Sequence, residues 1–433
     1  YPENPEAGID LFLEKLVQET EKEHEDILEQ ADETDAVFGE LYSWYLRNPE
    51  YRSRVQKLVQ SAFAGKPEDI ISQSVAKALY GEVSPYSATR LERFAACAFA
   101  HFLQYGMKLT ERVEYEFKPM DMGNVMHEAL ESFAEEVRKR GMKWTELTEQ
   151  ERNEIADRCL DNIVADYGNT VLKSSARNEY MIERTRRILR RTVWALQKQL
   201  EQGEFQPEGF EVTFGGGRID RVDIMEDQNK VYVKVIDYKT GNTSFDLVYL
   251  YHGLQLQLMI YLDGALRVEQ KQYPDKEIIP AGVFYYNIKD PMIREKIDAD
   301  VEAVSAGLMK ELKMNGLVQA DPELVYRMDS SLGSIPVAFN KDGSFRKNSS
   351  VADRTQFAVL GRYVRTKIEK IRSSILEGDA EVSPYELGKK NACTYCPYMT
   401  VCGFDRRLSG YEFRRLKNFS DEELWKAFDR EAE

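Results

Sequence analysis

The stretch GRIDRVDIMEDQNKVYVKVIDYKTG at 217–241, followed by LQLQLMIYL at 254–262, decides the fold of this chain. Its apolar and β-branched residues predict two adjacent strands, the first ending at Asp220 and the second at Asp237. Lys239 follows two residues after Asp237. Because side chains alternate between the two faces of a strand, Asp237 and Lys239 project to the same side.

Two carboxylates beside one ammonium group form a set that can bind Mg²⁺. Asp220 and Asp237 supply oxygen ligands, and the backbone carbonyl of Tyr238 can add another. Lys239 would place its ammonium group where it meets a water or a phosphate. D-x-K alone is more often a surface hairpin whose charges face water. The interpretation as a metal-dependent phosphodiesterase therefore depends on the rest of the chain.

Three further side chains suit such a site. His127 lies on a predicted helix in the pattern G-x-x-x-H-x-x-L-E, and its imidazole can complete a metal site, although a lone helical histidine is more often a packing residue. Gln257 and Tyr261 are four residues apart on the next predicted helix, hence on one face. They can hold a nucleic-acid backbone or orient Lys239; the alternative is an amphipathic helix with a polar edge.

Four of the five cysteines fall in metal-binding contexts. C-x2-C-x5-C is formed by Cys393, Cys396 and Cys402. Cys97 is the best placed fourth ligand, whereas Cys159 is predicted to be a core residue. Thiolates at such spacing bind an iron–sulfur cluster or, as the competing interpretation, Zn²⁺. A metal joined to Cys97 would close a loop of about 300 residues, which stabilises a fold because such closure is entropically unfavourable.

The chain of 433 residues is long enough for two or three domains, and its net charge is −15. Residues 1–80 hold 17 acidic and 8 basic side chains, so much of the excess acid lies before the proposed site. The composition is that of a globular protein, with no membrane-spanning run and no signal peptide, so we expect a cytoplasmic location. The first residue is Tyr rather than Met, which favours a piece of a longer polypeptide.

Basic side chains cluster twice, either to neutralise phosphates or to form a solvated helix face. The clusters are Arg184, Arg186, Arg187, Arg190 and Arg191, and then Arg406, Arg407, Arg414, Arg415 and Lys417. The sequence contains no phosphate-binding G-x-x-x-x-G-K-[ST] loop, so no ATP motor is expected within this chain.

The order of predicted elements indicates an α/β fold with a mixed sheet flanked by helices, preceded by a helical segment. Helical patterns fill 9–80, and further helices are predicted at 122–140, 147–167, 176–202, 250–266 and 351–376. Additional strands are predicted at 206–214 and 281–288. We expect a helical segment at 1–82, which would end an upstream domain, an α/β domain at 83–410 and a tail helix at 411–433.

Four motifs together resemble the RecB-like branch of the PD-(D/E)XK nuclease superfamily. They are G-x-x-x-H-x-x-L-E around His127, G-R-I-D-R-x-D at 217–223, I-D-Y-K-T-G at 236–241 and Q-x-x-x-Y at Gln257 and Tyr261. The cysteines are arranged with one before these motifs and three after them. This arrangement resembles the variant of the branch in which a 4Fe-4S cluster, called an iron staple, joins the two ends of the nuclease domain. The resemblance covers 83–410 and extends to the C-terminal part of the B subunits of AddAB-type ATP-dependent helicase-nucleases of Gram-positive bacteria.

The resemblance implies a role for each residue. His127, Asp220, Asp237 and the carbonyl of Tyr238 would bind Mg²⁺, and Lys239 would position the attacking water and stabilise charge on the phosphoryl oxygens.

The resemblance also implies ligands and partners. Gln257 and Tyr261 would help to hold DNA. The cluster ligands would be Cys97, Cys393, Cys396 and Cys402. A helicase-nuclease A subunit would form the heterodimer. The DNA bound would be double-strand ends and single strands, and this chain would cut the 5′-ended strand. The alternatives are a DNA-end-binding scaffold with an inactive nuclease fold and a free-standing iron–sulfur nuclease.

Overall fold

The structure is a computed structural model, and it describes residues 33–62, 70–81, 87–110, 119–166, 175–215, 217–293, 300–408 and 410–432. The predicted helical pattern before residue 33 lies outside these described residues. No helix in the described ranges combines the length and the apolar character that a membrane crossing requires.

The described ranges contain many α-helices, and several of them pack on a central sheet. In chain order they are α1 Glu33–Arg47, α2 Pro49–Ala62, α3 Gln73–Tyr80, α4 Ala88–Ala96, α5 Ala98–His101, α6 Pro119–Lys139, α7 Glu149–Asp166, α8 Ala176–Leu200, α9 Leu247–Tyr251, α10 Gln257–Gln272, α11 Val301–Glu311, α12 Pro322–Met328, α13 Arg354–Glu377, α14 Met399–Cys402 and α15 Asp421–Ala432. Local capping fixes several of their starts: Ser87 caps α4 and Ser175 caps α8 through side-chain oxygens.

The strands form one six-stranded sheet and one small three-stranded sheet. They are β1 Gln206–Phe214, β2 Gly217–Asp227, β3 Lys230–Lys239, β4 Glu277–Asn287, β5 Asn315–Gln319, β6 Val351–Ala352, β7 Tyr385–Leu387, β8 Lys390–Asn391 and β9 Arg414–Arg415. The large sheet runs in the order β1-β2-β3-β4-β5-β6. It is mixed, because β3 pairs in parallel with β4 and antiparallel with β2. The predicted α/β class with a mixed sheet is confirmed.

Each face of the large sheet is covered by its own apolar core. Val231, Val233 and Val235 of β3 face the core formed with α4, α10 and α13. Ile236 and Tyr238 face the other core, formed with α6, α7 and α8. This period of two follows from strand geometry and explains why β3 carries apolar residues on both faces, with the buried Lys234 as an exception in its middle.

Two flanking helices share the first core. Ala76 and Tyr80 of α3 pack in it, as do Leu424 and Phe428 of α15. Residues on both sides of the predicted 83–410 unit thus contribute to one apolar interior. The proposed division of the chain into domains remains a prediction.

The predicted helix from Leu250 to Leu266 is wrong in its start. The chain forms the short α9, breaks, and begins α10 only at Gln257. Gly253 explains the break, since its φ of +78° is left-handed and a Cβ there would lie 3.2 Å from the Cβ of Ala95. Gln255 lies in the break, and its side-chain Oε1 accepts a hydrogen bond of 3.0 Å from the backbone N–H of Asp246.

The predicted end of a strand at Asp220 is also wrong. β2 continues to Asp227, so Asp220 lies near its beginning. Because β2 and β3 are antiparallel, the beginning of β2 meets the end of β3, where Asp237 lies. The two carboxylates therefore come together at one end of the strand pair.

A glycine substitution tests how the N-terminal side is joined to α13. Gly378 ends α13 with a φ of +93°, and a Cβ there would lie 2.0 Å from the carbonyl oxygen of Ile71. Gly343 has a φ of +81° with nothing within 4 Å. Both alanine variants incur the left-handed backbone cost, about 1–2 kcal/mol. Gly378→Ala should lower the free energy of unfolding by about 1–3 kcal/mol more than Gly343→Ala does, because its Cβ would overlap the carbonyl oxygen of Ile71. Equal losses in urea unfolding would contradict this packing.

Candidate active site

The candidate site is built first from the pairing of β2 with β3. Arg221 lies opposite Ile236, so the next position along the ladder brings Asp220 opposite Asp237. The backbone N–H of Tyr238 donates to Oδ2 of Asp220 over 2.7 Å. This bond fixes the carboxylate of Asp220 against the last residues of β3.

Asp237 is almost fully buried, and Lys239 Nζ lies 2.7 Å from its Oδ2. Burial raises the pKa of Asp237, and the nearby charge of Asp220 raises it further, whereas Lys239 and His127 oppose that shift. A second ionised carboxylate near a buried one is unfavourable unless a cation lies between or beside them. The geometry predicted for D-x-K, with both side chains on one face, is present.

His127 reaches the same carboxylates from α6. Its Nδ1 lies 3.4 Å from Asp220 Oδ2 and 3.9 Å from Glu211 Oε1. Burial alone would lower the pKa of His127, but the contacts with the carboxylates of Asp220 and Glu211 and the nearby charge of Asp237 raise it to about 10. An imidazole in this position carries a proton where a metal would place a positive charge.

Glu211 is a member of the site that the sequence did not point to. It lies on β1 between the pairs that join Phe210 to Arg221 and Val212 to Ile219, which places it opposite Asp220. Its φ of +49° is left-handed, a strained conformation for a residue with a Cβ. Its side chain is largely buried and forms an ion pair with Arg218. The one feature of the sequence that could have indicated Glu211 is its acidic side chain in the strand just before the turn at Gly215.

The donor set fits a hard divalent cation. One ligand atom from each of His127, Glu211 and Asp220 lies within 4.8 Å of the other two. Oδ2 of Asp237 is buried, and among the described residues it has the ion pair with Lys239 Nζ but no hydrogen bond of normal geometry. Carboxylate oxygens with one imidazole nitrogen are ligands that Mg²⁺ and Mn²⁺ accept.

A hydrogen-bonded chain connects the lysine to α10. Lys239 Nζ donates to Gln257 Oε1 over 2.7 Å, and Gln257 Nε2 donates to the Tyr261 hydroxyl over 2.8 Å. The ammonium group also lies 5.4 Å from the centre of the Tyr285 ring. Of the roles considered for Gln257 and Tyr261, these contacts favour orienting Lys239.

The four candidate cysteines come from both ends of the folded unit. Cys97 follows α4 and packs against Cys396 and Tyr398. Burial raises the pKa of Cys393 to about 11, and proximity to the other three thiols adds to the rise. Among the described residues, no three cysteine sulfurs lie within 4.8 Å of one another. Cys159 lies apart in the core formed with α6 to α8, as predicted for a packing residue.

A comparison with protein families now decides the class of this fold. A model described as the PD-(D/E)XK nuclease superfamily matches residues 85–403. The chain belongs to the PD-(D/E)XK nuclease superfamily.

Curated relatives of this nuclease chain share one description, since each is named as the B subunit of an ATP-dependent helicase/deoxyribonuclease. The chain is 41% identical to the protein from Lachnoclostridium phytofermentans over 93% of its own length and 36% of the relative's. It is 34% identical to the protein from Thermoanaerobacter sp. strain X514 over 93% of its own length and 37% of the relative's. The chain thus spans little more than a third of these relatives. The resemblance to helicase-nuclease B subunits is confirmed by their descriptions.

The opposite face of the nuclease sheet carries a buried ion cluster. Arg221 pairs with Asp223 through Nε at 2.5 Å and Nη2 at 2.9 Å, and Lys234 Nζ lies 2.9 Å from the same carboxylate. All three side chains are nearly inaccessible to solvent. The two aspartates of G-R-I-D-R-x-D therefore differ in position, because Asp220 faces the candidate site and Asp223 faces away from it.

The first arginine cluster is largely paired within the nuclease chain. Arg186 Nη2 lies 2.7 Å from Asp161, Arg187 Nε lies 2.6 Å from Asp290, and Arg190 pairs with Asp157. The structure favours a solvated helix face here over a phosphate-binding surface. In the second cluster, Arg407 pairs with Asp405, and the Arg414 guanidinium donates to the carbonyl of Ala95.

The two aspartates of the motif make a matched pair of variants. Asp220→Asn should stay within about 1 kcal/mol of wild type in stability, since it removes one of several neighbouring carboxylates. Its nuclease activity should be lost. Asp223→Asn should lower the free energy of unfolding by about 3–5 kcal/mol, because it leaves two buried cations without their partner. Urea unfolding and a nuclease assay measure both; the reverse pattern would contradict the assignment of faces.

Proposed function

We propose that this chain is the Mg²⁺-dependent DNA exonuclease domain of a helicase-nuclease that processes double-strand DNA ends for recombinational repair. One observation carries the proposal: Asp237 and Lys239 lie in contact beside Asp220, with Gln257 holding the lysine. Carboxylates with an adjacent, oriented ammonium group suit hydrolysis of a phosphodiester.

The proposed metal ligands are His127, Asp220, Asp237 and the carbonyl of Tyr238, with Glu211 as a further carboxylate. The N–H of Tyr238 points to Asp220, and the N–H and C=O of one residue point to the same side of a strand. The Tyr238 carbonyl thus faces the carboxylates, which supports its place in the set. A bound Mg²⁺ would supply a Lewis acid for a phosphoryl oxygen.

Lys239 is proposed to position the attacking water and to stabilise charge on the phosphoryl oxygens. Its ammonium group has three protons, and contacts with Asp237 and Gln257 fix its direction. A fixed donor requires little reorganisation when negative charge develops on the phosphate. Besides orienting this lysine, Gln257 and Tyr261 are proposed to help hold the DNA backbone beside it, as the resemblance implies.

We propose that a 4Fe-4S cluster, or Zn²⁺ as the competing metal, is held by four cysteines: Cys97, Cys393, Cys396 and Cys402. Cys97, Cys396 and Cys402 lie near enough to Cys393 to add to the rise of its pKa, which supports one shared site for the four thiols. Thiolates spaced as C-x2-C-x5-C bind either metal centre.

The proposal includes partners that the relatives suggest. They are described as B subunits of a helicase/deoxyribonuclease, which supports a helicase-nuclease A subunit as heterodimer partner and DNA ends as substrate. Cleavage of the 5′-ended strand, the domain boundaries at 83 and 410, and a cytoplasmic location belong to the same proposal. The description of the relatives as subunits argues against a free-standing nuclease.

Strand-specific degradation tests the nuclease assignment. Wild type with Mg²⁺ should shorten the 5′-ended strand of an end-labelled duplex, and chelation of the metal should stop it. Asp237→Ala should lower the rate by at least about 1,000-fold, since it removes both a ligand and the partner of Lys239. Asp227→Ala, on the far end of β2, serves as control and should cleave normally. Unchanged cleavage by Asp237→Ala would contradict the site.

Spectroscopy and stability test the cysteine site. Protein purified without oxygen should absorb in the visible range and contain iron rather than zinc. Cys97→Ala should lose this absorbance and destabilise the fold by on the order of 5 kcal/mol, the entropy of closing so long a loop. Cys159→Ala, which removes a buried thiol elsewhere, should keep the absorbance. A colourless wild type with stoichiometric zinc would favour the competing metal.

A further inference from the structure

Helix α10 begins without a cap of its own. The residue at its N-cap position is Leu256, whose side chain accepts no hydrogen bond. The first N–H groups of a helix have no partner within the helix, so burying them without an acceptor is costly. In most helices Ser, Thr, Asp or Asn at this position supplies the acceptor.

The missing acceptor comes from a different helix. Glu92 of α4 accepts hydrogen bonds from the backbone N–H of Leu256 over 2.7 Å and of Gln257 over 2.9 Å. Both bonds end on the same oxygen, Oε1. A carboxylate at a helix N-terminus is also favoured by the positive end of the helix dipole. Glu92 therefore fixes where the first turn of α10 lies relative to α4.

The residue that Glu92 fixes is the one that holds the catalytic lysine. The backbone of Gln257 is bound by Glu92, and its side chain is bound by Lys239. Displacement of the first turn of α10 would move Gln257 Oε1 away from Lys239 Nζ. Lys239 would then keep its contact with Asp237 alone.

The surroundings of Glu92 suit an acceptor of hydrogen bonds. Burial raises its pKa to about 7, an effect that the two backbone hydrogen bonds and the charge of Lys239 oppose. Asp237 raises it further, and Tyr261 and Tyr285 are the other titratable groups nearby. The bonds to α10 require a lone pair on Oε1 and not a full negative charge.

We propose that Glu92 is a positioning residue of the nuclease site, which sets the direction of Lys239 by holding the first turn of α10 in place. The inference rests on the proposed nuclease function and deepens it. Glu92 acts through hydrogen-bond acceptance, so an uncharged acceptor of the same shape can replace it.

Two substitutions of Glu92 separate acceptance from charge. Glu92→Gln keeps an oxygen at the Oε1 position and loses the charge, whereas Glu92→Ala loses both. With Mg²⁺ and end-labelled duplex, Glu92→Gln should keep kcat within about 3-fold of wild type, and Glu92→Ala should lower kcat by about 10- to 100-fold, the range for small misplacements of catalytic groups. KM for DNA should change less than kcat, because the change lies at Lys239.

Glu269 provides the matched control. It is a buried glutamate of α10 itself, and burial raises its pKa to about 7, as for Glu92, but it lies twelve residues beyond Gln257. Glu269→Gln and Glu269→Ala report the general cost of changing a buried glutamate on this helix. Both should leave kcat unchanged when their losses of thermal stability match those of the Glu92 variants.

Hydrogen exchange gives a readout that does not require activity. The amides of residues 254–261 should exchange faster in Glu92→Ala than in wild type or Glu92→Gln, and the Glu269 variants should leave them unchanged. Glu92→Gln cleaving as slowly as Glu92→Ala would overturn the proposal, because charge would then be the essential property. The proposal would also be overturned if Glu92→Ala showed the same amide exchange and the same kcat as the wild type. A wild type that cleaves no DNA while the exchange pattern holds would instead contradict the nuclease function alone.

Discussion

The antiparallel pairing of β2 with β3 is the constraint on which the candidate site depends. It brings Asp220, near the start of one strand, next to Asp237, near the end of the other. The hydrogen bond from the Tyr238 N–H to the Asp220 carboxylate fixes the two strand ends relative to each other. A shift of the register by one residue would turn Asp237 and Lys239 to the opposite face of the sheet, into the core packed against α6, α7 and α8. The ion cluster of Arg221, Asp223 and Lys234 on that opposite face opposes such a shift, because buried charges must keep their partners.

Helix α4 connects the two chemical parts of the molecule. Glu92 in the middle of this helix binds the start of α10, and Cys97 directly follows its last residue. The C-terminal segment is tied to the same region, since Arg414 reaches the carbonyl of Ala95 and the hydroxyl of Tyr398 donates to Leu109. A metal held by Cys97 and the C-terminal cysteines would therefore stabilise the helix that positions α10 as well as join the ends of the unit.

The sequence allowed much of the site to be predicted because its signals were local. Asp237 and Lys239 share a face by strand alternation, and Gln257 and Tyr261 share one by helical spacing. Signals that depend on distant elements were not visible. Glu92 looked like any polar residue of an amphipathic helix, because its partners lie about 165 residues later. The position of Glu211 in the site depends on the pairing of β1 with β2, which the sequence does not reveal. The start of α10 was misplaced because Gly253 breaks an otherwise continuous apolar pattern.

Binding of Mg²⁺ measured by calorimetry tests the central claim most directly, namely that the paired ends of β2 and β3 form one metal site. Wild type should bind Mg²⁺ at this site, and Asp220→Asn and Asp237→Asn should each lose that binding while remaining folded. Loss in both variants follows only if the two carboxylates, seventeen residues apart in sequence, serve a single ion. Binding by either variant with the affinity of wild type would contradict the account.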